Sequence, residues 1–285
     1  MGVPSMEIID IHTHIGIVRS WSPYLKGFVK ATIHDLISYM DSVGIDLVAL
    51  LPLPGIVEPY DRIPGTDKVL KLSKEYPDRI VPFCVIDPRC IKPKERIEQY
   101  VKRGCKGFGE YKVRLYIDDE RSIRVFKICA NLGIPVLIHM DKEFNPDIHR
   151  FIKVLNKVPD AIFIMHGPGW WKYISAETGD EDYPKGKVIP GGIIEKIFKE
   201  YRNVYADISA HSGLNALKRD KEYASIFLRM FSNRVLFGTD FPCISPEGNQ
   251  FGPNREHIDL LINLGLEKEI LERILYKNAL RLLGL

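Results

Sequence analysis

The chain reads as an α/β protein, a (β/α)8 TIM barrel, on three observations. Eight apolar runs of strand length alternate with stretches of helical period, the order a parallel sheet requires. The 285 residues suit one such barrel, which needs about 250. No glycine-rich phosphate loop follows the first strand and no linker-like composition divides the chain. A doubly wound sheet is therefore the second choice, and a single domain over residues 1–285 is expected.

The first strand is "EIIDI" at 7–11, running into "HTH" and stopped by Gly16. With a period of two, Asp10, His12 and His14 are expected on one face, with Ile9 and Ile11 on the other. A long loop over 13–32 leads to the helical "IHDLISYMDSVG". The later strands are "DLVALLPLP", "RIVPFCVIDP", "KGFGEYKVRL", "IPVLIHM", "AIFIMHG", "NVYADISAHSG" and "RVLFGTDFP". Between them lie helical stretches such as "KPKERIEQYVKRG", "NPDIHRFIKVLNKVP" and "LNALKRDKEYASIFLRMF", and the chain closes on a helical stretch over 255–285. Gly44, Gly104 and Gly133 each follow a helical stretch where the next strand is about to begin, as helix stops do.

Composition narrows the partners. Forty Lys and Arg against 37 Asp and Glu leave a net charge of +3, too balanced for a nucleic-acid or anionic-membrane surface. No apolar run is long enough to span a bilayer. The start "MGVPSMEIID" lacks a basic segment followed by an apolar one, and Met6 breaks the myristoylation pattern. Five cysteines with no CxxC pair fit reduced thiols, so a cytoplasmic location is expected. The expected partner is a small-molecule substrate, with homo-oligomerisation left open.

Polar residues concentrate at the predicted C-terminal ends of strands, where barrel active sites form. Strand one ends in His12 and His14, two imidazoles about 7 Å apart at Cα and leaning the same way, as a metal ion requires. Two buried core histidines are the other reading of an isolated HxH pair. Strand four carries Glu110 and Lys112, strand five ends in His139, strand six in His166 and strand eight in Asp240. Strand seven adds Asp207, Ser209 and His211. Five of the eight histidines fall at this rim, which favours a metal centre. His34, His149 and His257 fall in helical stretches, where solvated faces account for them.

"DIHTH", "PVLIHMD", "MHGPGW" and "LFGTDFP", in that order, resemble the amidohydrolase superfamily of metal-dependent barrel enzymes. More narrowly, they resemble the amidohydrolase-related family that includes aminocarboxymuconate-semialdehyde decarboxylase. The resemblance implies a divalent ion, usually zinc with manganese as the alternative, held by His12, His14, His139 and Asp240. It implies for His166 either a second-metal ligand or a proton shuttle. With two ions, Glu110 or a carboxylated Lys112 is the expected bridge; with one, Lys112 reads equally well as an ammonium paired with Glu110.

Such a centre acidifies water, with Asp240 as general base turned acid and His166 helping to stabilise the oxyanion. The expected reaction is hydrolysis of an amide, ester, lactone or phosphoester. Decarboxylation of an aromatic or muconate-like acid is the alternative. A silent ligand-binding barrel is a third reading, disfavoured because no ligand is missing. "HGPGWW" replaces the glycine run that follows this histidine in many decarboxylase-like members, which favours hydrolysis. Trp21, Trp170, Trp171, Arg114 and His211 are the expected substrate contacts, with Trp170 and Trp171 in a long loop after strand six where plugging the barrel mouth is their other reading.

Overall fold

The computed structural model describes residues 7–20, 27–55, 62–243 and 254–285. Eight parallel strands form one sheet in chain order. They are β1 (Ile9–Thr13), β4 (Leu47–Leu50), β5 (Ile80–Cys84), β6 (Gly107–Tyr111), β7 (Val136–His139), β8 (Phe163–His166), β9 (Val204–Asp207) and β10 (Val235–Leu236). The last meets the first: the amide of Ile11 donates to Phe237 O at 3.0 Å, and that of His14 to Phe241 O at 2.6 Å. The sheet thereby curls into the expected barrel.

Side chains alternate across this wall as a pleated strand requires. Val48 and Leu50 on β4 face the helices, in a core shared with Phe108, Val136, Phe163 and Val204. Ala49 and Leu51 join Ile9, Ile11, Val81, Phe83, Leu137 and Ile164 in a smaller cluster inside the barrel. Leu47, at the start of β4, packs with that cluster together with Ala279 and Leu283 of the C-terminal helix, which plug the bottom. The apolar floor leaves only the opposite rim for polar chemistry.

The helices are α1 (Ile33–Val43), α2 (Thr66–Glu75), α3 (Pro93–Lys102), α4 (Glu120–Leu132), α5 (Ile148–Lys157), α6 (Pro168–Trp171), α7 (Ile193–Glu200), α8 (Ala210–Lys218), α9 (Lys221–Phe231), α10 (Asn254–Asn263), α11 (Lys268–Glu272) and α12 (Asn278–Leu283). Thr32 and Asp35 form a reciprocal capping box at the start of α1. Gly44 and Gly133 end α1 and α4 in the left-handed conformation anticipated for those stops. Among the described residues no helix is long and apolar enough to cross a membrane.

The structure corrects the sequence reading in several places. The stretch expected as loop 13–32 contains an antiparallel pair, β2 (Gly16–Ser20) with β3 (Gly27–Ala31). Arg62 fastens this ribbon to the body by exchanging backbone bonds with Ile17 at 2.7 and 3.2 Å. The long stretch after β9 is two helices rather than one, because Asp220 ends the first and caps the second through the Tyr223 amide. Strand seven stops at Asp207, so His211 lies in the first turn of α8. His257 is buried and bonds Ala210 O at 3.0 Å, so its helix face is not solvated there.

Candidate metal centre

The C-terminal ends of the strands bring together His12, His14, Glu110, His139, His166 and Asp240. Three overlapping groups have ligand atoms within 4.8 Å of one another: His12–His14–Glu110, His12–His166–Asp240 and Glu110–His139–His166. All but His139 and Asp240 are almost wholly buried. Lys112 lines the cleft into which these groups open, with its Nζ 5.1 Å from the Phe144 ring centroid. Glu110 reaches three imidazoles, those of His12, His14 and His139.

The register of β1 against β4 shifts between Asp10 and Thr13. Asp10 consequently does not join the imidazoles. Its carboxylate accepts from the amides of His12 at 2.9 Å and Thr239 at 3.1 Å, and from the Thr239 hydroxyl. Burial among these uncharged donors raises its pKa to about 7.

Each imidazole is fixed from behind. His14 donates its Nδ1–H to Leu51 O at 2.9 Å. Asp207 lies wholly buried at the end of β9, with Oδ2 at 3.0 Å from His12 Nδ1 and Oδ1 at 3.0 Å from His166 Nδ1. Ser209 Oγ stands 2.8 Å from the same His166 nitrogen and bonds Asp207 Oδ1. At His139 the rear partner is Asp141, whose Oδ2 is 2.8 Å from Nε2, so Nδ1 faces Glu110 Oε1 at 2.8 Å. Asp141 is itself held by the amides of Glu143 and Phe144. An acceptor behind each ring keeps the hydrogen there and aims the lone pair forward, as metal-ligating histidines require.

This arrangement is a direct test of whether a cation fits. His12 Nε2 and His14 Nε2 face each other at 3.1 Å, and in the neutral rings both carry lone pairs because both Nδ1 atoms donate elsewhere. Bare lone pairs repel at that separation. Nitrogen donors about 2.0–2.1 Å from one zinc ion lie about 3 Å apart, so a shared cation removes the repulsion. Glu110 Oε2 approaches His14 Nε2 at 3.2 Å and His12 Nε2 at 3.9 Å, completing the same group.

The charges make the same demand. Burial by itself lowers the His12 pKa, yet Asp240, Asp207 and Glu110 outweigh it and hold the ring well above its ordinary value. Burial and Lys112 work against a proton on His139, but Asp141 and Glu110 prevail and raise it. Burial likewise opposes ionisation of Glu110 and Asp207, and the surrounding imidazoles pull both well below the usual carboxylate range. Asp141, opposed by burial and drawn down by His139, falls to about 2. The acids call for positive charge at the centre.

The cluster opens into a cleft of about 360 Å³. Val18 and Val29 of the β2–β3 ribbon form one wall; Lys112, Phe144, Tyr183 and His211 line other parts of it. The expected tryptophan wall is not there. Gly167, at φ 100°, turns the chain into α6, and both indoles go into the core, 0 and 1 % exposed. Trp170 packs edge-on against Phe151, and Trp171 Nε1 donates to Asp207 O at 2.8 Å. Arg114 lies outside the cleft lining, paired with Glu143 at 3.2 Å and stacked over the Phe144 ring. Trp21 lies outside the described residues.

Asp141 and the orienting role of Asp207 were not anticipated from sequence. The signal available was an acid two residues beyond a strand-end histidine, in "HMD", and an acid closing a strand, in "VYAD".

The chain matches the family model described as amidohydrolase over residues 64–285. That span contains Glu110, His139, His166 and Asp240, while the HxH pair precedes it. No curated protein matches the chain significantly in sequence. Among solved structures, an uncharacterised TIM-barrel protein from Bordetella bronchiseptica aligns with a TM-score of 0.67 at 20% identity, covering 98% of this chain and 99% of that one. A probable 2-pyrone-4,6-dicarboxylic acid hydrolase from Acinetobacter baumannii aligns at 0.62 and 16% identity, covering 98% and 100%. A 2,6-dihydroxybenzoate decarboxylase from Rhizobium aligns at 0.62 and 15% identity, covering 98% and 99%. At these identities the likeness is one of fold.

Proposed function

Because this chain belongs to the amidohydrolase family, we propose that it is a hydrolase using one or two divalent metal ions, acting on an amide, ester, lactone or phosphoester of a small molecule. One observation carries the reading. Glu110 divides its oxygens, Oε2 toward His12 and His14 and Oε1 toward His139, as a carboxylate between two cations would. His12, His14 and Glu110 would hold one ion, and Glu110, His139 and His166 the other, with Asp240 within reach of His12 and His166. The mixed nitrogen and carboxylate donors suit zinc first and manganese second.

A divalent cation supplies Lewis acidity at this place, polarising a substrate oxygen and acidifying water. The chain's own groups handle the protons. Asp240 has 29 % of its side chain exposed, so it can meet substrate and water at the cleft. Its carboxylate takes the proton of the attacking water and returns it to the leaving group. Its Oδ2 lies 4.0 Å from His166 Nε2; with a single ion held by His12, His14 and Glu110 that nitrogen would be free to relay the proton, whereas with two ions it would be a ligand, because Asp207 and Ser209 occupy the other ring nitrogen. Val18 and Val29 supply apolar lining to the same cleft.

A second reading is non-hydrolytic decarboxylation of an aromatic acid, supported by the fold shared with the Rhizobium decarboxylase. Screening zinc- and manganese-loaded protein against esters, lactones, phosphoesters and aromatic carboxylic acids separates the two. Chelator-sensitive hydrolysis is the expected result. Chelator-sensitive release of carbon dioxide with no hydrolysis would overturn the first reading in favour of the second.

A further inference from the structure

Ser212 is a buried polar residue to which the proposed chemistry gives no task. It is 3 % exposed and lines the cleft, yet its hydroxyl has no hydrogen-bond partner. A helical serine ordinarily turns its hydroxyl back to a carbonyl of the preceding turn. Ser42 and Ser73 do this at 2.8 and 3.0 Å, and Ser212 does not.

Its position gives the missing partner a sign. Ser212 is the third residue of α8, and Ala210, His211 and Ser212 all line the cleft. The first turn of a helix carries partial positive charge and amides with no partner inside the helix. Ser209, at the cap position, does not serve them, because its hydroxyl is committed to Asp207 and His166. The Ala210 amide is taken by Thr239 O and that of Gly213 by Ser209 O. Between them the Ser212 amide has no such acceptor among the described residues, and no acidic side chain occupies the first turn.

We propose that the N-terminus of α8 is an anion-binding subsite of the cleft, receiving a carboxylate or phosphate group of the substrate on the Ser212 amide and hydroxyl. The inference rests on the metal-dependent reading, since it defines the substrate class of the same cleft. With cations held by Glu110 and Asp240, which line the same cleft, the surrounding charge admits an anion. Asp182 is paired with Lys142 at 3.3 Å, Glu143 with Arg114 at 3.2 Å and Asp141 with His139 at 2.8 Å. Lys112 lines the cleft without an ion-pair partner among the described residues. Ser209 ties this helix end to His166, so an anchored substrate lies beside the metal ligands.

The test titrates zinc-loaded protein with inorganic phosphate and, separately, with succinate, by calorimetry. Wild type, Ser212→Ala and Ser212→Thr are compared, and each is repeated after chelation, with metal content and thermal melts measured alongside. At least one anion is expected to bind wild type, and Ser212→Ala to weaken it about tenfold or more at unchanged metal content. Ser212→Thr, which keeps the hydroxyl, should stay close to wild type. The tighter anion identifies the group recognised. No binding of either anion, or Ser212→Ala within about twofold of wild type, would overturn the subsite; so would binding that vanishes with the metal and ignores Ser212. Serine-dependent anion binding by a chain that takes up no metal would uphold the subsite and sink the proposed hydrolase.

Discussion

Glu110 and Asp207 are both acids buried at the barrel rim and both touch histidines, but they meet opposite sides of the rings. Glu110 stands in front, among His12 Nε2, His14 Nε2 and His139 Nδ1. Asp207 stands behind, against His12 Nδ1 and His166 Nδ1. Both are drawn below the usual carboxylate range by the same imidazoles. Asp10, equally buried, meets only amides and a hydroxyl as hydrogen-bond donors and is pushed up to about 7. Role and charge therefore follow from which atom each acid faces, with residue type and burial held nearly constant.

Removing the acid in front should do the most damage. Glu110→Gln keeps the shape but takes away the charge and one acceptor. Metal content should fall to about one ion per chain or fewer, and hydrolysis by several orders of magnitude, with saturating zinc restoring neither. Elemental analysis beside a rate assay checks this; full activity in excess zinc would remove the distinction between the two acids.

Asp207→Asn should cost less and behave differently. A carboxylate accepts from both Nδ1–H groups, whereas an amide offers one acceptor oxygen and would donate to the other ring. One imidazole then moves its hydrogen toward the centre and loses its forward lone pair. Metal affinity should drop about 10–100-fold, with occupancy recovering at high zinc. A competition titration against a chromophoric chelator reads the shift directly, and an unchanged affinity would deny Asp207 its orienting role.

Asp10 supplies the smallest effect and a pH signature. Its folded pKa of about 7 lies above the ordinary value of 3.8. The stability it contributes is therefore fully present below about pH 3.8 and is lost as pH rises through about 7. Asp10→Asn retains an acceptor for the His12 and Thr239 amides and cannot ionise. Melting curves of the chelated variant should decline less between pH 4 and 7 than those of chelated wild type. Parallel profiles would mean that Asp10 ionises in the folded chain as freely as in the unfolded one.

The contrast also explains what could be read in advance. Strand and helix order was legible because apolar runs and glycine stops are local, and Gly44 and Gly133 sit where the helices end. His12, His14, His139, His166 and Asp240 were legible because strand ends converge on one rim of any such barrel. Which ring nitrogen an acid faces is a tertiary fact, so Asp207 and Asp141 gave no more than weak hints. Trp170 and Trp171 were misplaced because an expected loop proved to be a helical turn whose indoles the core could take. The break at Asp220 had a local signal, an N-capping residue inside a helical run, that the periodicity masked.

Counting metal shows most directly whether Glu110 lies between two cations. Protein purified without chelator or affinity metal, then offered zinc or manganese and desalted, is analysed by elemental mass spectrometry. About two ions per chain are expected, as in two-metal hydrolytic sites. One ion per chain would contradict the bridging role and put decarboxylation level with hydrolysis; none would contradict the metal centre itself.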